Sequence, residues 1–252
     1  MREVEARPLV LLTRPTDRSA SFAGKLSTAG IDTLIWPILD IRPTLNEAPA
    51  LNGAQAVLLT SPRAVEALPA STNSLTSAPA FCVGTTTAAA AQKAGFADIR
   101  DADGDAAVLA ALITATLPPD DGPLLYLRGR DTARDMAALL PHFEVRGVET
   151  YHAAPMVTPD PAIIKAIRAG NLTTIAFFSP RTAAIFASAA TDEMRVGLSE
   201  TIAVVMSERV ATKVNQLAFQ RVVIAEHPNG EAMHAAICGA CGIAVPQNGV
   251  CD

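Results

Sequence analysis

LLTSPRAVEAL, Leu58–Leu68, and AFFSPRTAAIF, Ala176–Phe186, are two versions of one strand-turn-helix with Ser-Pro-Arg at the corner. In each, a continuous apolar run ends at a serine, the usual helix-capping residue. A proline follows at the first helical position, where its missing N–H costs no hydrogen bond. Further matches surround the pair. VLLTRPTDRSASFAGKL (Val10–Leu26) resembles LLYLRGRDTARDMAALL (Leu124–Leu140), and FCVGTTTAAAAQKAGF (Phe81–Phe96) parallels AVVMSERVATKVNQLAF (Ala203–Phe219). IRDADGDAAVLAALI (Ile99–Ile113) parallels VIAEHPNGEAMHAAI (Val223–Ile237). The offsets, roughly 114 to 124 residues, are far longer than a solenoid repeat and predict two copies of one module of about five strands.

Strands are expected at Leu9–Thr13, Thr33–Trp36, Ala56–Thr60, Ala80–Val83, Asp98–Arg100 and Leu124–Leu127. Four more are expected at Val145–Thr150, Thr174–Phe178, Ile202–Val205 and Arg221–Ile224. Most are apolar throughout rather than alternating, the pattern of strands covered on both faces of a parallel sheet. Helix signals follow nearly every strand. Thr16 or Asp17 is placed to cap a helix ending before Gly30, Ser61 a second, and Asp160-Pro161 starts one that Gly170 closes. The alternation predicts an α/β fold with parallel sheets.

A chain of 252 residues holds one large domain or two of about 120. Two proline-bearing extended stretches, Trp36–Leu45 and Val148–Pro159, read as crossings between domains. One domain would then be continuous and the other assembled from both ends of the chain. A cut at the midpoint balances the strand count equally well.

Half the residues are hydrophobic but only 4% are aromatic, so the core is aliphatic. The formal charge of −5 excludes a nucleic-acid binder with a net basic face, yet leaves room for a few arginines aimed at an anionic ligand. The apolar run Leu9–Leu12 is too short for a signal peptide, and no run reaches the ~18 residues of a membrane span. Of the four cysteines, Cys238, Cys241 and Cys251 cluster at the C-terminus and Cys82 stands alone, which is no disulfide framework. A cytoplasmic protein without membrane association is expected.

No GxGxxG, Walker A loop, GxSxG elbow or HExxH is present, and no histidine neighbours Ser61 or Ser179 to make either a nucleophile. The candidate chemistry lies at the corners. Ligands of open α/β sheets bind beyond the C-terminal strand ends, and helix N-termini favour carboxylates and phosphates. Thr13, Arg14, Thr60, Ser61, Gly84, Thr87, Arg128, Gly129, Ser179 and Ser207 all fall at such corners, which would face a shared cleft in a two-domain arrangement. Arg63 and Arg181 join Arg14 and Arg128 as donors within three residues of a strand end, suited to a polyanion. His234 with the three C-terminal cysteines offers a nominal zinc set.

TSPRAVEAL (Thr60–Leu68), VGTTTAAAAQKAGF (Val83–Phe96), VETYHAAP (Val148–Pro155), FFSPRTA (Phe177–Ala183) and GEAMHAAI (Gly230–Ile237), in this order and spacing, resemble the uroporphyrinogen-III synthase family over nearly the whole chain. The resemblance implies two flavodoxin-like parallel-sheet domains joined by a two-stranded linker, with the first domain discontinuous. Applied here, residues 1–37 plus 158–245 form one domain, 45–150 the other, 38–44 and 151–157 the linker, and 246–252 a tail. It implies a monomeric, cofactor-free and metal-free lyase that closes hydroxymethylbilane, a linear tetrapyrrole with eight carboxylates. The product, uroporphyrinogen III, has ring D inverted through a spiro intermediate. Tyr151 matches the family's linker tyrosine, which assists departure of the hydroxyl, and Thr87 the threonine of its VGxxT turn, with Gly84 allowing close backbone approach. The second copy of that turn departs from the pattern, with Met206 for the glycine and Arg209 for the threonine, leaving Ser207 to cap the helix and offer a hydroxyl. The competing expectation is a non-catalytic ligand-binding module of the same fold.

Overall fold

The computed structural model describes residues 6–70, 75–131 and 135–244. From the N-terminus the chain forms β1 (Leu9–Leu12), α1 (Thr16–Thr28), β2 (Asp32–Ile35) and β3 (Leu39–Pro43). It continues through β4 (Ala56–Leu59), α2 (Pro62–Glu66), β5 (Ala80–Cys82), α3 (Thr85–Lys93), β6 (Ile99–Asp101) and α4 (Ala106–Thr116). Next come β7 (Leu124–Gly129), α5 (Met136–Leu139), β8 (Val145–Pro155), α6 (Pro161–Arg168), β9 (Thr174–Phe177) and α7 (Pro180–Ala189). The chain closes with α8 (Asp192–Leu198), β10 (Ile202–Val205), α9 (Glu208–Val214), β11 (Arg221–Ile224) and α10 (Gly230–Ala240). All ten expected strands form. β7 and β8 run beyond their expected ends, to Gly129 and Pro155, and the extra residues matter to the site.

The strands build two sheets, ordered β11-β10-β9-β1-β2 and β3-β8-β7-β4-β5-β6. The first sheet is parallel throughout. In the second, the ladder from β8 to β6 is parallel. Two compact units result: Met1–Asp40 with Pro155–Asp252, and Ile41–Ala154. The chain changes unit within β3 and again within β8.

Substituting each strand by its sequence-repeat partner turns one sheet into the other. β9, β10, β11, β1 and β2 correspond to β4, β5, β6, β7 and β8, and the spatial order is identical. Counted along the chain, the first unit has the order 2-1-3-4-5 of flavodoxin-like sheets. The second unit has the same sheet entered at a different strand.

Each sheet is packed on both faces, which is why its strands are apolar throughout. In β1, Leu11 points into one buried cluster with Ile175, Phe177 and Phe186, while Val10 and Leu12 point into another with Phe22, Met233 and Ile237. β4 divides the same way, Val57 and Leu59 to one face and Ala56 and Leu58 to the other. Two faces of close-packed aliphatic side chains, at roughly 1.5–3 kcal/mol per large residue, hold each unit together.

Helix starts follow the sequence reading with two corrections. Ser61 accepts from Arg63 N–H, Asp160 from Ala162 N–H, and Gly170 sits at φ +64 just past α6. At α1, however, neither Thr16 nor Asp17 caps the helix. Pro15 holds the cap position without a side-chain bond, Thr16 is already helical, and Ser19 Oγ donates to Arg14 O at 3.0 Å. Ser207 occupies the cap position of α9, but its hydroxyl makes no capping bond.

Candidate active site

In the second unit β4 and β7 are neighbours whose connections leave in opposite directions, toward β5 and toward β8. Such a switch point leaves a crevice beyond the strand ends. Here it is a cavity of about 430 Å³ lined by Thr60, Ser61, Val83, Gly104, Asp105, Ala106, Tyr126, Gly129, Asp131 and Tyr151. Four sequence-predicted residues, Thr60, Ser61, Gly129 and Tyr151, come together in it.

Tyr151 is placed by an irregularity in the β7–β8 ladder. Arg128 pairs with Glu149, but the next residue, Gly129, pairs with Tyr151, so a bulge rotates this end of β8 relative to its body. The phenol ring lies directly on Gly129: a Cβ added there would stand 2.6 Å from Tyr151 Cζ and 2.9 Å from its oxygen. Only glycine leaves room for the ring. Arg130 closes the arrangement, its N–H donating to Tyr151 O at 2.9 Å and its guanidinium pairing with Glu149 at 3.0 Å.

Opposite lies Tyr126, on β7 and only 6% exposed. Its hydroxyl shares a 2.9 Å hydrogen bond with Thr60 Oγ1. Burial pushes the Tyr126 phenol above the ordinary tyrosine range, against the smaller lowering effects of the Thr60 hydrogen bond and the Arg128 charge, and Tyr151 adds a lesser effect in the raising direction. Tyr126 and Thr60 therefore meet as neutral hydroxyls, and either can donate.

The remaining predicted residues of this unit have other employment. Ser61 caps α2, and Arg63 pairs with Glu66 at 3.2 Å. Arg128 turns back on the chain, donating to Gly129 O at 3.1 Å and Arg130 O at 3.2 Å. Thr87 is buried, at 3% exposed, in the first turn of α3. Gly84 has the extended backbone any residue adopts, and a Cβ there would meet nothing within 4 Å. The glycine thus leaves the start of α3 uncovered without being conformationally required.

In the first unit the equivalent switch point lies between β9 and β1. Thr13 is fully buried and donates to Ala176 O at 2.7 Å, so its hydroxyl ties the two strands together. The Arg14 guanidinium stacks 4.4 Å from the centre of the Phe178 ring. Ser179 accepts from Thr182 N–H at 3.1 Å and shares a 2.7 Å bond with the Thr182 hydroxyl. Arg181 and Ser207 are partly exposed. A second cavity, of about 570 Å³, is lined by Pro155, Val157 and α7 residues such as Ile185, and none of the predicted residues borders it.

Among the described residues no group of three or more His, Cys, Asp or Glu side chains is arranged to hold a metal. Cys238 Sγ and His234 Nε2 are 3.8 Å apart, a thiol–imidazole contact within one helix. Cys251 lies outside the described residues.

The family model for uroporphyrinogen-III synthase HemD matches residues 20–235, most of the chain. The chain belongs to the uroporphyrinogen-III synthase family. The uroporphyrinogen-III synthase of Chlorobaculum parvum is 26% identical over 92% of this chain and 98% of its own. The fold agrees with a crystal structure of a mutant uroporphyrinogen III synthase from the extremely thermophilic bacterium Thermus thermophilus at a TM-score of 0.55 and 18% identity, covering 93% of this chain and 99% of that one. Enzymes of the uroporphyrinogen-III synthase family are cyclising lyases of heme biosynthesis. No helix among the described residues is long and apolar enough to cross a membrane.

The polar side chains lining this cavity that sequence reasoning missed are Tyr126, Asp105 and Asp131. Tyr126 sits inside the run LLYLRG, where it reads as one more strand residue. The available signal was scarcity: the chain has two tyrosines, and both line this cavity.

Proposed function

We propose that this chain closes hydroxymethylbilane to uroporphyrinogen III, inverting ring D through a spiro intermediate, without a cofactor, as a cytoplasmic monomer. The observation that carries the catalytic assignment is the Tyr151 phenol seated on Gly129 at the rim of a cavity at the switch point. Tyr151 gives its proton to the terminal hydroxyl, which leaves as water. The substituted carbon of ring D attacks the resulting cation, and reopening and reclosure give the type III isomer. Asp105 and Asp131 line the same cavity and lower the energy of a cationic intermediate.

The proposed substrate-binding set comprises Thr60, Ser61, Arg63, Gly84, Thr87, Arg128 and Gly129 in the second unit, and Thr13, Arg14, Ser179, Arg181 and Ser207 in the first. Within it the placements favour some residues over others. Gly84 leaves the α3 amides open to a carboxylate, whereas Thr13 and Thr87 act from inside the packing, by fixing the corners. We further read residues 38–44 and 151–157 as the two-stranded linker between domains 1–37 plus 158–245 and 45–150.

The reaction's outcome tests the function. Unassisted hydroxymethylbilane closes head to tail into the type I isomer, because the free end of ring D is the accessible nucleophile. Freshly generated hydroxymethylbilane incubated with the protein, oxidised and resolved by chromatography, should give mainly type III. Type I at the rate of a protein-free control would falsify the enzymatic reading, and tight substrate binding in that sample would mark a non-catalytic binder.

A further inference from the structure

Tyr126 has no part in the reading above and Thr60 only one in substrate binding, yet their hydroxyls are bonded to each other in the cavity that holds Tyr151. A hydroxyl has one hydrogen to give. If Tyr126 donates to Thr60, the Thr60 hydrogen remains for a ligand; if Thr60 donates, the Tyr126 hydrogen remains. In either arrangement the pair presents one O–H donor, strengthened because its oxygen is itself accepting a bond. Tyr126 cannot turn away to offer this donor elsewhere, since its ring is packed among Leu58, Phe81 and Met136. The two oxygens are therefore held in place before any ligand arrives, the condition under which a hydrogen-bond donor stabilises developing charge with little reorganisation.

The reaction proposed above develops charge at one oxygen. As the C–O bond breaks, electron density collects on the departing hydroxyl, which accepts a proton from Tyr151 and still has a lone pair to satisfy. We infer that the Tyr126–Thr60 pair is a second catalytic donor of this site, holding the departing oxygen while Tyr151 protonates it; the inference rests on the uroporphyrinogen-III synthase reading of this cavity. The balance is closed. The C–O bond breaks, water leaves with the Tyr151 proton, and the substrate carries the positive charge. The substituted carbon of ring D then bonds to the cationic carbon, its original bond to the bridge carbon breaks to leave a second cation, and the free carbon of ring D closes onto that cation. This carbon then loses its proton to the Tyr151 phenolate, which restores the starting enzyme without oxidant or reductant. The raised phenol of Tyr126 keeps this donor protonated where an ordinary tyrosine would begin to ionise.

A donor that acts on charge present only in the transition state affects turnover and leaves ground-state binding nearly alone. Tyr126→Phe removes the phenol oxygen and keeps the ring. Its kcat with hydroxymethylbilane should fall about tenfold to a hundredfold, with KM within about threefold of the parent. Binding of uroporphyrinogen III, which lacks the oxygen, should be unchanged. Thr60→Val should lower kcat in the same direction, and Thr60→Ser, which restores the hydroxyl, should recover most of it. The two Thr60 variants decide the matter if Tyr126→Phe does not fold. A working parent with a Tyr126→Phe or Thr60→Val kcat within twofold of it, or with the whole effect in KM, overturns the inference alone. A parent that makes no type III isomer above background overturns the functional reading, and the inference falls with it.

Discussion

Gly129 and Tyr151 form the most exacting contact of the site, and they separate function from stability. A methyl group at position 129 would meet the far end of a ring rather than backbone, so the fold can accommodate it by swinging the phenol aside. Gly129→Ala should therefore lower turnover about as much as Tyr151→Phe, roughly tenfold to a hundredfold, while thermal unfolding moves by only a few degrees. If Gly129→Ala unfolds the protein, or keeps full turnover, the ring is not held where the geometry puts it. A second residue-scale consequence concerns Cys82, fully buried in β5. Burial, and then the nearby charge of Asp101, push its thiol from 9.0 up to about 12. The folded state thus holds this proton more tightly than the unfolded chain does. The stability it contributes is complete below about pH 9 and is lost as pH rises toward 12, at up to about 1.4 kcal/mol per pH unit. Denaturant titrations of the parent between pH 8 and 10 should show this loss, and Cys82→Val should flatten it; equal slopes in the two proteins would assign the alkaline loss to other groups.

At the scale of elements, the corners were legible wherever local chemistry alone decides the structure. Ser61 and Ser179, each followed by proline, cap α2 and α7 because a serine oxygen reaches the free amides of a first turn whatever the rest of the fold does. Loss of the cap in Ser179→Ala, together with its bond to the Thr182 hydroxyl, should cost about 1 kcal/mol in chemical denaturation. A change below a few tenths would show that Thr182 takes over the cap. The strands were legible because burial on two faces leaves little but Val, Leu, Ile, Ala and Phe in them. What the sequence did not reveal is where a polar strand-end side chain turns. Thr13 and Thr60 are equivalent in pattern, but one hydroxyl bonds sideways to Ala176 O and the other reaches Tyr126 at the cavity. That choice depends on the neighbouring strand, which is distant in sequence. The β7–β8 bulge that aims Tyr151 escaped for the same reason, since it is a property of two strands in register. Tyr126 escaped because an aromatic residue in an apolar run carries no sign of what its hydroxyl meets.

Over the whole molecule, the two sheets share one spatial order while the chain threads them from different starting strands, so one unit is a circular permutation of the other. The permutation has a direct consequence for folding. The second unit is continuous, Ile41–Ala154, and owns both apolar clusters that cover its sheet. The first unit needs β1 from the N-terminal segment, with β2 on its far side, to sit beside β9, which arrives more than 160 residues later through the register Val10↔Thr174. Its clusters contain residues from both ends: Leu11 with Phe177 and Phe186, and Phe22 with Met233 and Ile237. Residues 41–154 expressed alone should therefore fold cooperatively, because all the surface that buries their sheet is present. Residues 1–125 should not. They carry β1 and β2 without β9, leaving Val10, Leu11, Leu12 and Phe22 with no partner cluster, and they end at the start of β7, the central neighbour of β4. Far-UV circular dichroism during urea titration distinguishes the cases: a single sigmoidal transition for 41–154 and a gradual, featureless loss for 1–125. A cooperative transition in 1–125 with none in 41–154 would place the boundary at the midpoint of the chain and refute the permuted arrangement.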